Sequence, residues 1–125
     1  MEGNKIKKLK TAVMGCTGLV GQQFVRMLDG HPFFELTFLT ASKNSAGRKY
    51  GETVNWSLEG DIPVNGDEIV ISDTSVEAIC ESKVDVIFSA LPSAVAEEIE
   101  LPLTEKGFII FSNAGANRMR PDVPI

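Results

Sequence analysis

The stretch that decides the fold is TAVM at residues 11–14, followed directly by GCTGLVG at residues 15–21. The first four residues predict a buried strand, and a helical pattern begins after the glycine-rich loop. In this interpretation Gly15 permits a tight exit from the strand, Gly18 removes a side chain where a phosphate approaches, and Gly21 lets the helix lie close to the sheet. Free N–H groups and the positive end of the helix dipole favour a pyrophosphate there. The stretch therefore predicts a dinucleotide-binding loop.

Apolar runs alternate with helical patterns along the rest of the chain. Several runs are nearly continuous in Val, Ile, Leu and Phe, which is typical of parallel strands covered on both faces. The predicted strands are residues 11–14, 36–41, 69–72, 84–89 and 108–111. Residues 43–66 form a long polar stretch with Tyr50 and Trp56 as isolated aromatics. Its pattern does not decide between a short helix and a hairpin. The alternation predicts an α/β fold with a doubly wound parallel sheet, a Rossmann-like domain over residues 1–125.

A helix is predicted over residues 19–28, directly after the glycine-rich loop. Its apolar residues fall at helical spacing, which predicts one stripe that faces the sheet. The stripe consists of Val20, Phe24, Met27 and Leu28. The Gly-His-Pro turn of residues 30–32 is expected to end the helix.

Later helices begin at recognisable caps. Thr74 and Glu77 have the spacing of a capping box, which predicts the start of a short helix. Ser93 is a candidate N-cap for a helix over residues 94–106, and Gly107 is expected to close that helix.

Composition and charge narrow the class of protein. The chain has 125 residues and is 43% hydrophobic and 23% charged, as expected of one soluble globular domain. A formal net charge of −5 argues against nucleic acid or an anionic membrane as the main partner, and no apolar run reaches membrane-spanning length. Cys16 and Cys80 form neither a metal-binding spacing nor a disulfide framework. We expect no metal and a reducing, cytoplasmic location.

The end of the second predicted strand indicates which dinucleotide is bound. NAD enzymes of this fold commonly carry an Asp or Glu there, which bonds the ribose 2′-hydroxyl and would repel a 2′-phosphate. This chain has hydroxyls and cations instead, in the run TASKNSAGRK at residues 40–49. The run favours NADP. A solvated loop is the alternative for Lys43, Arg48 and Lys49 taken singly.

Other polar residues follow later strands at the edge where open α/β sheets bind ligands. They are SALPS at residues 89–93 and SNAG at residues 112–115. Arg118 is a candidate clamp for an anionic substrate group, with a solvent-exposed charge as an equal alternative. His31 lies in a turn and offers no catalytic pair with either cysteine. These residues predict a binding cradle and no catalytic group.

The motifs together resemble the aspartate-semialdehyde dehydrogenase family, especially its archaeal and fungal branch. The matching blocks are GCTGLVGQQF at 15–24, HPFFEL at 31–36, ASKNSAGRKYGE at 41–52, DVIFSALPS at 85–93 and FSNAGANRMRPDVPI at 111–125. The resemblance implies the N-terminal NADP-binding domain of an oxidoreductase. That enzyme converts L-aspartate 4-semialdehyde, phosphate and NADP to 4-aspartyl phosphate and NADPH, in lysine, methionine and threonine biosynthesis. Family members are usually dimeric or tetrameric, so a homo-oligomer is expected of the full-length protein.

The resemblance also implies which residues hold the cofactor. The loop residues implied at the pyrophosphate are Thr17, Gly18, Leu19 and Val20, and Gly15 at the strand exit is the further cofactor-binding residue predicted from the glycine spacing. The residues implied at the adenosine 2′-phosphate are Ser42 and Ser45, with Lys43 as a candidate cation. The residues implied on the ribose and nicotinamide side are Ser89, Leu91, Pro92 and Asn113.

Arg118 matches the family arginine that binds phosphate or the phosphate of the acyl-phosphate substrate. This chain departs from the family pattern at other positions. Asn44 stands where the family often has an arginine, so Lys43 or Arg48 is a candidate to supply that charge. Cys16 replaces a usual alanine, and Arg120 replaces a common acid in the tail.

The family mechanism uses a nucleophilic cysteine, which forms a thiohemiacetal with the aldehyde, and a histidine as acid and base. Both residues lie beyond the end of this chain, and neither Cys16 nor Cys80 matches the cysteine by position. We therefore expect a truncated dinucleotide-binding domain that is inactive alone, without the catalytic and dimerisation domain. Malonyl-CoA reductase, the more distant N-acetyl-glutamyl-phosphate reductase and a free-standing cofactor-binding module remain as alternatives.

Overall fold

The strands form one parallel sheet in which the first strand lies at the centre. The computed structural model describes residues 8–112, apart from the side chains at positions 64 and 65. Its strands are β1 (Leu9–Met14), β2 (Phe34–Ala41), β3 (Ser72–Asp73), β4 (Val86–Ser89) and β5 (Ile109–Ser112). Within the described residues these five strands pair in parallel, and their order in the sheet is β3-β2-β1-β4-β5. The direction of winding reverses between β1 and β4, so the predicted doubly wound α/β fold is confirmed.

Helices connect the strands on both faces of the sheet. They are α1 (Leu19–Leu28), α2 (Tyr50–Thr53), α3 (Val64–Asp67), α4 (Val76–Ser82) and α5 (Ser93–Glu105). The bounds predicted for the first helix are confirmed. The polar stretch of residues 43–66, for which the sequence allows either a short helix or a hairpin, contains the single-turn helix α2 and most of the single-turn helix α3. None of the described helices is long and apolar enough to cross a membrane.

Two apolar clusters cover the sheet, one on each face. Along β1, Val13 belongs to the cluster that includes α1, whereas Ala12 and Met14 belong to the cluster that includes α4 and α5. The same alternation occurs in β4, where Phe88 and Ile87 lie in opposite clusters. Successive side chains of a strand point to opposite faces, so a strand covered on both faces needs apolar residues throughout. This is the reason for the nearly continuous apolar runs.

The buried face of α1 differs from the predicted stripe. Its buried residues are Gly21, Gln22, Val25 and Leu28, whereas Met27 is 48% exposed. Gly21 determines the face, because a Cβ at this position would lie 2.1 Å from the carbonyl oxygen of Gly15. The close approach that Gly21 allows is therefore to the preceding loop rather than to the sheet. Apolar spacing alone does not reveal a contact made by a residue without a side chain.

The helix caps also differ from the predicted ones. Ser75, not Thr74, caps α4, since its hydroxyl oxygen accepts the N–H of Ala78 at 3.1 Å. The Thr74 hydroxyl instead lies 2.8 Å from the hydroxyl oxygen of Thr40 in β2. Ser93 is the first residue of α5 rather than its N-cap, and no side chain that the structure describes caps that helix. The predicted close at Gly107 is confirmed by its φ of +98°, which lies in the left-handed region that favours glycine.

The third strand is shorter than predicted because its apolar run pairs elsewhere. Val70 forms an isolated antiparallel bridge with Lys49. The N–H of Ile71 donates to the carbonyl of Arg48, and the N–H of Tyr50 donates to that of Ile69. Most of residues 69–72 is therefore tied to the loop after β2, and only Ser72–Asp73 joins the sheet.

Candidate dinucleotide-binding site

The glycine-rich loop makes a turn that requires glycine at its first position. Gly15 has a φ of +74°, in the left-handed region, and a Cβ there would lie 3.0 Å from the carbonyl oxygen of Ala90. The N–H groups of Gly15 and Cys16 both donate to the carbonyl of Thr40, each at 3.0 Å. The loop is thereby fixed between the end of β2 and the turn after β4. The predicted tight exit at Gly15 is confirmed.

The N-terminus of α1 leaves backbone donors free for an anion. Gly18 is the N-cap, and no side chain among residues 8–112 caps the helix. The first helical bond runs from the N–H of Gln22 to the carbonyl of Gly18 at 2.9 Å, so the preceding helical N–H groups have no acceptor within the helix. A Cβ at Gly18 would have no atom of the described part of the chain within 4 Å. Open space, free donors and the helix dipole coincide at this point, which favours a phosphate group.

Two buried side chains that the sequence patterns did not single out as functional support this loop. The Tyr50 hydroxyl donates to the carbonyl of Cys16 at 2.9 Å, and Nε2 of Gln22 donates to the carbonyl of Thr17 at 2.9 Å. Tyr50 was visible only as an isolated aromatic in a polar stretch. Gln22 lay outside the expected apolar stripe, so only the contact made by Gly21 could have revealed that it is buried.

The predicted 2′-phosphate residues lie in a turn directly after β2. The carbonyl of Ser42 accepts the N–H groups of Ser45 at 3.0 Å and Ala46 at 3.2 Å. The hydroxyls of Ser42 and Ser45 make no hydrogen bond within residues 8–112, and Lys43 is exposed. These groups are therefore available to a ligand.

The other two basic residues after β2 differ in whether they form an ion pair. Lys49 forms a 2.9 Å ion pair with Glu68, whereas Arg48 is exposed. On the neighbouring strand, Asp73 is in register with Ala41, one residue before the turn. The end of β2 thus has hydroxyls and a lysine, and the nearest strand-end carboxyl along the sheet belongs to β3.

Two of the residues predicted at the end of β4 and in the following turn, Ser89 and Leu91, have buried side chains. Ser89 is fully buried, and its hydroxyl donates to Glu100 in α5 at 2.5 Å. The side chain of Leu91 is buried in the cluster under α4 and α5, and Pro92 is the exposed N-cap of α5. The N–H of Ala90 donates to the carbonyl of Met14 at 2.9 Å. The turn after β4 therefore lies against the end of β1, beside the glycine-rich loop.

The remaining candidate residues are buried, engaged in a turn or outside the described part of the chain. Burial raises the pKa of the Cys16 thiol to about 12, so this cysteine stays protonated near neutral pH. His31 accepts the N–H of Phe33 through Nδ1 at 3.1 Å and holds its turn. Within residues 8–112, no group of three His, Cys, Asp or Glu residues is placed to bind a metal. Asn113, Arg118 and Arg120 lie outside the described residues.

Sequence comparison gives the family. Residues 10–125 match the family described as semialdehyde dehydrogenase, NAD binding domain. The chain belongs to this family. The strand order, the left-handed Gly15 and the open N-terminus of α1 are the features that a dinucleotide-binding domain requires, so the family membership agrees with the geometry.

Individual relatives include enzymes from archaea and fungi. Aspartate-semialdehyde dehydrogenase of Methanothermobacter thermautotrophicus is 47% identical over 94% of this chain and 33% of its own length. Malonyl CoA reductase (NADP) of Metallosphaera sedula is 40% identical over 95% of this chain and 32% of its own length. The crystal structure of aspartate semialdehyde dehydrogenase with NADP from Candida albicans matches with a TM-score of 0.85 and 38% identity, over 94% of this chain and 33% of that one. The chain spans about a third of the length of these relatives.

Proposed function

We propose that this chain binds NADP as the cofactor-binding domain of an aspartate-semialdehyde dehydrogenase. One observation carries the proposal: the open, glycine-capped N-terminus of α1 follows β1, and between β1 and the parallel β4 the direction in which the chain adds strands to the sheet reverses. A dinucleotide spans this reversal in open α/β sheets, with its pyrophosphate at the helix N-terminus. The NADP named for the Candida albicans structure supports the same cofactor here.

Each part of the cofactor has candidate partners in the chain. Gly15 lets the loop make its turn, and the backbone N–H groups from Thr17 through Val20 are offered to the pyrophosphate, since those of Gly15 and Cys16 donate to Thr40. Ser42, Ser45 and Lys43 offer hydroxyls and a cation to the 2′-phosphate, and no carboxylate follows β2 directly to repel it. On the nicotinamide side we propose that Ser89, Leu91 and Pro92 contribute mainly backbone, with Asn113 beside them.

The proposed reaction of the full-length enzyme joins phosphate to L-aspartate 4-semialdehyde while NADP, when bound, accepts a hydride. In that reaction Arg118 is the proposed phosphate ligand. Burial of the Cys16 thiol and the place of Cys80 on α4 support the proposal that the nucleophile is neither of these cysteines. We therefore propose that the chain alone binds cofactor without catalysing the reaction. Assembly into a homo-oligomer and a cytoplasmic location remain part of the proposal for the full-length protein.

A titration of the chain with NADPH and NADH, followed by nicotinamide fluorescence, tests the cofactor. We expect NADPH to bind at least about tenfold more tightly, as one charge-assisted contact to the 2′-phosphate would give. Ser42→Ala and Ser45→Ala should reduce this preference, whereas Ser82→Ala on α4 serves as the control. Equal affinities would exclude the 2′-phosphate argument, and a folded chain that binds neither nucleotide would overturn the proposal.

Malonyl-CoA reduction is the second candidate, because the Metallosphaera sedula relative is nearly as similar as the dehydrogenases. The two activities share a cofactor domain and differ in the acyl substrate. Assays of the full-length protein with aspartate semialdehyde plus phosphate, and separately with malonyl-CoA plus NADPH, distinguish them. Activity with malonyl-CoA alone would replace the first candidate with the second.

A further inference from the structure

Two buried side chains hold consecutive carbonyl groups of the glycine-rich loop. The Tyr50 hydroxyl donates to the carbonyl of Cys16, and Nε2 of Gln22 donates to the carbonyl of Thr17, each at 2.9 Å. Tyr50 is fully buried and Gln22 is 3% exposed. Both donors therefore act from inside the domain, below the loop.

The orientation of the Gln22 amide is determined by its other contacts. Its Oε1 accepts the N–H of Ser57 at 2.8 Å, and Nε2 also donates to the carbonyl of Asn55 at 3.2 Å. An acceptor faces the backbone N–H and a donor faces both carbonyls, so a flipped amide would lose all three bonds. Gln22 thus ties the loop to the segment after α2, which also supplies Tyr50's neighbour Trp56.

The geometry of the peptide bond determines where the N–H groups next to these two carbonyls point. No peptide bond among the described residues is cis, so each C=O and the N–H of the same peptide point in opposite directions. The carbonyls of Cys16 and Thr17 point inward, and the N–H groups of Thr17 and Gly18 therefore point outward. Neither N–H has an acceptor within residues 8–112. A Cβ at Gly18 would meet no atom of the described residues within 4 Å, so the loop has open space beside it for a ligand.

We infer that Tyr50 and Gln22 are positioning residues, which orient the N–H groups of Thr17 and Gly18 toward the pyrophosphate of the dinucleotide. The inference rests on the proposed function and adds to it two residues that do not touch the cofactor. Without these donors either peptide can rotate, and rotation places a carbonyl oxygen where the anion binds. The change then replaces an attractive dipole with a repulsive one, which reduces affinity beyond any loss of stability.

Ligand pairs distinguish positioning from general support of the fold. Tyr50→Phe removes only the hydroxyl, and Gln22→Met removes the amide while keeping the chain length. We expect each variant to bind NADPH and 2′-phospho-ADP-ribose about tenfold more weakly, since a bond to a charged group is weakened. Adenosine 2′-monophosphate lacks the pyrophosphate, and its affinity should stay within about twofold. Ser82→Ala, which removes a hydroxyl bonded to the Ile79 carbonyl in α4, should change neither affinity.

The outcomes separate this inference from the proposed function. If both variants bind all three ligands more weakly by the same factor, Tyr50 and Gln22 have only a structural role and the inference is wrong. Unchanged NADPH affinity in both variants would also overturn it. A folded wild-type chain that fails to bind NADPH would instead overturn the proposed function. An NMR titration of the wild-type chain with NADP needs no variant: the amide resonances of Thr17 and Gly18 should shift strongly, and their insensitivity under saturation would also overturn the inference.

Discussion

The Ser89 hydroxyl donates a 2.5 Å hydrogen bond to Oε2 of Glu100, although Ser89 ends a strand and Glu100 lies in a helix. Glu100 is 2% exposed, and the same oxygen accepts the hydroxyl of Ser112 at 3.0 Å. One buried carboxyl group thereby joins α5 to the carboxyl ends of β4 and β5. These strand ends form the nicotinamide half of the proposed site, so α5 determines their placement.

Replacement of Glu100 should destabilise the chain strongly. Glu100→Ala leaves two serine hydroxyls without this acceptor and opens a cavity, which we expect to lower the free energy of unfolding by about 3 kcal/mol. Glu97→Ala, one turn earlier on the exposed side of α5, should change it by less than about 0.5 kcal/mol. Urea unfolding of both variants measures the difference. Similar losses would mean that the shared carboxyl group contributes little.

The glycine-rich loop and α1 show what the sequence could predict. The bounds of α1 and the order of alternating strands and helices follow from local signals: an apolar run, a glycine loop and a helical repeat. The buried face of α1 does not, because Gly21 contacts the loop through its backbone. Ser75 caps α4 instead of Thr74 because the Thr74 hydroxyl is engaged by Thr40 on β2. A contact between residues so far apart in the chain produces no pattern in the sequence from which it could be predicted.

The candidate site divides in the same way. The loop itself and the hydroxyl-rich turn at Ser42 were predicted, because glycine spacing and the missing acid are local features. The support from Tyr50 and Gln22, and the inward bond of Ser89, depend on residues far apart in the chain. A buried glutamine or glutamate on a helix looks like a surface residue in sequence alone. The ligand contacts of the predicted site residues stay predictions.

Substitution by alanine should reduce cofactor affinity at Gly18 and stability at Gly21. Gly21→Ala forces a methyl group against backbone atoms of Gly15 and Cys16, at 2.1 Å and 2.8 Å, so we expect a loss of about 3 kcal/mol or more in unfolding free energy. Gly18→Ala meets open space and should cost less than about 1 kcal/mol, yet it projects a methyl group toward the pyrophosphate. NADPH titration and thermal unfolding together check this: only Gly18→Ala should lose affinity while remaining folded.

Stability should fall at alkaline pH because of Cys16. Burial raises the pKa of its thiol from 9.0 to about 12, so the unfolded chain loses this proton first as the pH rises. The native state is then disfavoured by about 1.4 kcal/mol per pH unit between pH 9 and pH 12, and the stabilisation is fully present below pH 9. Burial also raises the pKa of Tyr50. Ionisation of this tyrosine in the unfolded chain therefore lowers the stability of the native state further from pH 10 upward. The urea midpoint should fall less steeply between pH 8 and pH 10 for Cys16→Ala than for the wild-type chain. Equal slopes in the two proteins would mean that a group other than Cys16 causes the pH dependence.

Thr37 should be a site where removal of a hydroxyl stabilises the fold. Its Oγ1 is buried without a hydrogen-bond partner in the described part of the chain. The register between β1 and β2 shifts at this point, from Leu36 to Phe38, so Thr37 is the extra residue of a bulge. Thr37→Val keeps the shape and removes the unsatisfied group, and we expect a gain of about 1 kcal/mol in unfolding free energy. Thr11→Val is the matched control, because the Thr11 hydroxyl donates to the carbonyl of Leu9 at 3.0 Å and its removal should destabilise. Equal losses in the two variants by urea unfolding would show that the Thr37 hydroxyl is satisfied in solution.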